Sequence, residues 1–118
     1  MARSKTQNLG SIPPQVAWTV VRGDTASFRI FVTDDSKIPL IIPEWAIKAD
    51  IKRNGELVVS LFPEQKETDG DGEFTVSLLA SESEMLQTGD LFDVQLTNSE
   101  YVWTVAQGKI VVIEDVTD

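Results

Sequence analysis

The sequence predicts an all-β antiparallel sandwich, on three observations. Apolar residues recur with period two along most of the chain, and turn-forming residues interrupt them at short, regular spacing. No segment carries a long helical period that could cover a parallel sheet. At 118 residues the chain suits one domain, burying roughly two thirds of its unfolded surface in a single core.

Residues 1–14 (MARSKTQNLGSIPP) stand apart. They are polar, lack a hydrophobic period and end in Pro13-Pro14, whose fixed φ favours an extended segment. They are expected to form a flexible arm on a sandwich domain spanning 15–118. Residues 15–21 (QVAWTVV) and 25–33 (TASFRIFVT) then read as strands. In the second, Ala26, Phe28, Ile30 and Val32 share one face while Phe31 lies on the other. Arg22, Gly23 and Asp24 lie between the two runs. Glycine accepts positive φ and aspartate can bond amides ahead of it, so this adhesion-like triplet reads as a turn.

Alternation is clearest in 45–53 (WAIKADIKR), with Trp45, Ile47, Ala49 and Ile51 directed to the core. Asn54-Gly55 follows and suits a two-residue type I′ turn, in which both central residues need positive φ. Glu56 to Phe62 would return as one strand, with Leu57, Val59 and Leu61 continuing the buried face. Residues 63–72 (PEQKETDGDG) form a polar loop, and Phe74, Val76 and Leu78 mark another strand. Ser81 and Glu84 have capping-box spacing, predicting a short helical turn stopped by Gly89. Two closing strands, 91–97 and 101–113, complete the pattern, with Gly108 expected to be a bulge or bend. About seven strands and one short helical turn at this spacing fit an immunoglobulin-like antiparallel β-sandwich.

Composition bounds the chemistry. The chain has no cysteine and no histidine, so thiolate metal sites, disulfides and imidazole bases are excluded. Its acids cluster with turn residues rather than on apolar strand faces, so no raised carboxylate is expected, and the chain reads as no enzyme. Asp69, Asp71 and Glu73 alternate in DGDGE, but Phe74 occupies the position where an EF-hand loop requires glycine. A solvated Asp-Gly turn is the simpler reading, and no cofactor or metal is expected. The net charge is −9, of which Arg3 and Lys5 contribute +2 in the first fourteen residues, leaving −11 on the rest. A body that acidic repels phosphate backbones, so nucleic acid is not an expected partner. Neither a secretory signal nor an apolar run near the ~20 residues of a membrane span is seen.

Trp18, Phe31, Trp45, Phe62, Tyr101 and Trp103 read as core or interface, with Phe31 the best single candidate for a subunit contact. The sandwich's edge strands invite cover by neighbouring chains.

Four stretches carry a resemblance: RGDTASFRIFVTDD at 22–35, WAIKADIKRNGELV at 45–58, GEFTVSLLASESEMLQTGDLFDVQLT at 72–97 and GKIVVIEDVT at 108–117. In this order they resemble small β-sandwich structural proteins of tailed bacteriophage virions. They are also similar to the N-terminal domains that anchor baseplate and receptor-binding proteins. No fibre or coiled coil follows the domain in this sequence. The resemblance therefore implies a stand-alone, oligomeric virion component, an adaptor of the tail, collar or baseplate that helps attach fibres or neighbouring subunits. Arg3, Lys5, Pro13, Pro14 and Phe31 are its candidate interface. The alternatives are a head decoration (cement) protein on the major capsid protein or, in a different class, a carbohydrate- or receptor-binding adhesion module.

Overall fold

The computed structural model describes residues 15–34 and 36–114. Period-two segments become strands in the expected places: β1 Gln15–Val21, β2 Ala26–Phe31, β3 Ala46–Arg53, β4 Glu56–Ser60, β5 Phe62–Glu64, β6 Glu73–Leu78, β7 Leu91–Thr97 and β8 Val102–Ile113. A 3-10 turn at Ile42–Glu44 precedes β3, and α1 is a single helical turn, Ala80–Ser83. A five-stranded sheet, β1-β8-β7-β3-β4, faces a three-stranded one, β2-β6-β5.

Inward residues of both sheets form one core. Ile51, Phe74, Val76, Val94, Leu96 and Ile110 are fully buried within it. Trp18, Phe28 and Phe92 meet with ring centroids 5.5–5.8 Å apart, and Trp45 lies edge-on to Trp103 at 6.3 Å. Such tilted and edge contacts suit the ring quadrupoles. Phe31, Phe62 and Tyr101, by contrast, are exposed.

The β3–β4 turn is as expected, with Asn54 at φ 53° and Gly55 at φ 81°. Beyond it the expected single strand 56–62 divides. Val58 is an extra residue between the Ile51–Val59 and Lys52–Leu57 pairs. This bulge reverses the side-chain phase, so Leu57 faces outward beside Lys52, 58% exposed, instead of joining the core. At Leu61 the chain changes sheets: its amide still donates to the Ala49 carbonyl at 2.8 Å, whereas Phe62 already pairs with Ser77. Strands therefore number eight, and the loop expected from residue 63 begins after Glu64. Pro63 is tolerated because β5 is an edge strand.

Three further expectations need correction. Pairing is antiparallel except between β1 and β8, which run parallel. The bulge in β8 falls at Val105, not Gly108, and leaves Val105 and Ala106 both buried. Gly108 serves close approach instead, since a Cβ there would run into the Val16 carbonyl of β1. Finally, α1 is capped two residues earlier than predicted. The Glu82 carboxylate accepts the Leu79 amide at 2.8 Å, and the helix ends six residues before Gly89, which turns the chain toward β7 at φ 100°.

Candidate functional site: the outer face of the five-stranded sheet

The Arg-Gly-Asp triplet is a turn, held from three sides. Gly23 has φ 87°, and the Asp24 amide donates to the Val21 carbonyl at 3.0 Å. The Gly23 amide donates to Ser83 Oγ at 2.8 Å, tying the turn to α1. Arg22 is engaged through two of its three guanidinium nitrogens: Nε donates to both carboxylate oxygens of Glu114, at 2.9 and 3.0 Å, and Nη1 to the carbonyls of Glu84 and Leu86. Nε and Nη1 are therefore committed to the fold.

Arg53 completes this corner. It donates through Nε and Nη2 to the two oxygens of Asp90, at 2.8 and 2.9 Å, and through Nη2 to the Met85 carbonyl. Between them the two arginines satisfy the carbonyls of residues 84, 85 and 86, which leave α1 without helical partners. Asp90 also accepts the Gln87 amide at 2.8 Å. The Arg53 guanidinium holds the Asp90 carboxyl below the usual carboxylate value, against the opposing effect of burial.

The DGDGE loop is likewise structural. Asp69 accepts the Lys66 amide and Glu73 the Gly70 amide, while Arg29 lies 3.8 Å from Asp69 and 3.7 Å from Glu73. The Asp69 side chain is only 6% exposed, so it is no solvated acid. Among the described residues no group of three acids is placed to hold a metal ion.

A different arrangement appears on the outer face of the five-stranded sheet. Cross-strand register places Ser60, Asp50, Asp93, Gln107 and Gln15 in one transverse row, through β4, β3, β7, β8 and β1. The neighbouring row reads Leu57, Lys52, Leu91, Lys109 and Ala17. Asp50, Asp93, Gln107 and Gln15 of the first row and Lys52, Leu91 and Lys109 of the second line a shallow groove of about 360 Å³, with Asn54 and Gly55 of the hairpin turn also on its wall. Leu57, Leu91, Val111 and Ile113 are exposed large apolar residues of β4, β7 and β8.

Asp50 and Asp93 stand directly opposite one another, where like charges destabilise a sheet. Asp50 is buried, accepts the Ser60 hydroxyl at 3.0 Å and lies 3.8 Å from Lys48 Nζ. Asp93 is half-buried, and among the described residues no basic side chain pairs with it. Burial pushes the Asp93 carboxyl above the usual value and Asp50 adds to the shift, while Lys52 and Lys48 oppose it. The expectation that no acid sits raised on a strand face is thus overturned. Strand alternation alone offered a signal, since Asp50 and Asp93 both fall at outward positions, but their juxtaposition requires β3 and β7 to pair.

Of the candidate interface residues, Phe31 faces outward at 39% exposure, paired with Glu73 on the other sheet. Arg3, Lys5, Pro13 and Pro14 lie outside the described residues. The structure thus does not bring Phe31 to the Asp50–Asp93 row.

Two facing sheets, a parallel β1–β8 edge and a helical turn between β6 and β7 define an immunoglobulin-like β-sandwich. Among solved structures the chain is similar to the BTLA ectodomain, with a TM-score of 0.52 and 10% identity over 90% of this chain and 97% of that one. At that identity the likeness shows the fold alone. No family model and no curated protein sequence matches the chain.

Proposed function

We propose that this protein is a non-enzymatic structural component of a tailed bacteriophage virion, an adaptor of the tail, collar or baseplate that joins neighbouring subunits or fibres. The observation that carries this reading is an acidic domain with large apolar side chains on both sheet faces: Leu57 and Leu91 on one, Phe31 and Phe62 on the other. Apolar surface of this kind suits contact with other chains. The four ordered sequence stretches supply the virion context.

A binding role fits the Asp50–Asp93 pair better than catalysis does. Acid–base hydrolysis of a glycosidic bond places two carboxylates on either side of the bond. These two project in parallel from one sheet face, and the groove above them is open to water. An adhesion role for the Arg-Gly-Asp turn is disfavoured by the engagement of Arg22.

Mass spectrometry of heads and tails separated from purified virions of the source phage tests the reading. Detection with tails supports the adaptor, detection with heads supports a decoration protein instead, and absence from both removes the virion reading. Deleting residues 1–12 is expected to abolish incorporation while leaving the sandwich folded. Unchanged incorporation would remove the arm from the docking scheme.

A further inference from the structure

Four strands form the edges of the two sheets, and three of them carry a device that discourages pairing with another chain. β4 bears Glu56 and the bulge at Val58, β5 is three residues long with Pro63 and Glu64, and β2 carries the exposed Arg29. β1 has none. Its seven residues, QVAWTVV, contain no charge and no proline, and its register with β8 runs without a bulge.

The free side of β1 follows from its bonds. The Arg22 amide donates to the Ile113 carbonyl at 2.8 Å, and the Val16 carbonyl lies against Gly108, so the even-numbered residues address β8. In a strand the N–H and C=O of one residue point to the same side, and the side alternates from residue to residue. The amides and carbonyls of Gln15, Ala17 and Thr19 therefore point away from the sheet, and none has a partner among the described residues. Their side chains are exposed on the outer face.

Charge and side-chain match select what covers this edge. The molecule carries a net charge of −9, so two copies approach with least repulsion where charge is absent. On β8, Lys109 stands opposite Ala17. Across a contact between two β1 strands it would lie three strand spacings, about 14 Å, from its counterpart, beyond the ~8 Å Debye length. Antiparallel pairing about a two-fold axis at Ala17 sets Ala17 against its own copy, and Gln15 of each chain against Thr19 of the other. The same two residue types already meet on this face, where Gln95 Nε2 of β7 donates to Thr104 Oγ1 of β8 at 3.4 Å. A shift of one residue would instead set Gln15 against Val21, whose carbonyl already accepts the Asp24 amide.

We infer that β1 pairs with β1 of a second copy of this chain, antiparallel and centred on Ala17, joining two five-stranded sheets into one continuous sheet. Three residue pairs each exchange two backbone hydrogen bonds, about six in all. The Asp50–Asp93 row stays open beside the joint. The inference rests on the subunit-joining part of the proposed function and not on the identity of the particle.

The chain has no cysteine, so a single introduced thiol reports the joint in the full-length protein. Antiparallel residues that exchange both bonds have Cα atoms about 5.5 Å apart, within the range a disulfide spans. A17C is therefore expected to oxidise to an intermolecular disulfide. T19C is expected not to, since the two Thr19 positions would lie four residues out of register, about 13 Å apart along the strands. Sedimentation of the parent should show a mass rising with concentration from monomer toward dimer. A17E and A17K, at an exposed position, should each weaken that association about fivefold by setting like charges opposite one another, and an equal mixture should restore it through the heterodimer.

A parent that stays monomeric up to about 1 mM would overturn the inference, whether its own N-terminal residues or another protein then cover the edge. So would T19C cross-linking as readily as A17C, or a mixture of A17E and A17K, both folded by circular dichroism, that associates no better than either alone. The head-and-tail fractionation reads the place in the particle and not this joint, so failure of this inference and failure of the virion reading remain distinguishable.

Discussion

Asp90 and Asp93 lie three positions apart at the start of β7, yet their surroundings drive them in opposite directions. Asp90 receives both nitrogens of the Arg53 fork and the Gln87 amide, and its carboxyl titrates below the usual value. Asp93 faces another carboxylate across the strand pair, and burial raises it above that value. One acid is consumed by the fold, its hydrogen-bonding capacity directed at a hairpin and a connector. The other is maintained at a cost in stability, half-buried and with no ion pair among the described residues, Lys52 and Lys48 acting on it only at a distance. A charge that the fold does not use marks the place to look for a partner.

The contrast can be broken most severely at Asp90. Asp90→Ala leaves the Arg53 fork and the Gln87 amide unsatisfied, and calorimetry should show a fall in Tm on the order of 10 °C, consistent with ~2 kcal/mol for a domain of this size. A fall no larger than that of an exposed control substitution would contradict the structural role of this corner. Arg22→Ala should also lower Tm, since it uncaps the Glu84 and Leu86 carbonyls, and Arg22→Lys should not restore it because an ammonium cannot reproduce the fork. The expected bond from the Asp24 carboxylate to amides ahead of it is not made among the described residues, and only its own amide is engaged, so Asp24→Ala should change Tm little and leave cell adhesion unchanged. Lost cell binding would reverse the reading of the triplet as a turn.

Acidification sharpens the same comparison. Asp93 has a raised pKa in the folded state, so the native protein binds its proton first. As pH falls through that value, its unfavourable contribution is relieved and stability rises. Asp90 has a depressed folded pKa, so its contribution is intact above the ordinary carboxylate value and is lost as pH falls through the depressed one. Denaturant midpoints measured across the acid range should therefore show a gain from Asp93 before a loss from Asp90. Asp93→Asn should remove the gain and Asp90→Asn the loss. The smallest effect is expected from Asp93→Asn at neutral pH, a stabilisation of about 0.5 kcal/mol from removing one of two opposed charges. A destabilisation of that size or more would mean that Asp93 is already satisfied.

What was legible in the sequence was what depends on neighbouring residues. Alternation located the strands, and Asn54-Gly55 specified its own turn because both residues accept positive φ. The parts that escaped depend on residues distant in the chain. Leu57 satisfies the period but loses its place in the core to a bulge at Val58, which exists only relative to β3. Gly108 has the composition of a bend, yet its role is set by the approach of β1. Ser81 has the spacing of a cap, whereas Ser83 and Glu82 make the bonds because the helix is anchored from Leu79 and Gly23. The Asp50–Asp93 row follows the same rule. Each acid reads as an ordinary outward residue until the order of strands brings them together.

The most direct measurement is a titration of side-chain carboxyl carbons by NMR on uniformly labelled protein, with Asp90 and Asp93 assigned through their single substitutions. The account predicts Asp90 below and Asp93 above the ordinary aspartate value, with the Asp93 midpoint moving down in Asp50→Asn. Coincident midpoints, or an Asp93 indifferent to Asp50, would contradict the claim that the outer face sets a half-buried carboxylate opposite a second one.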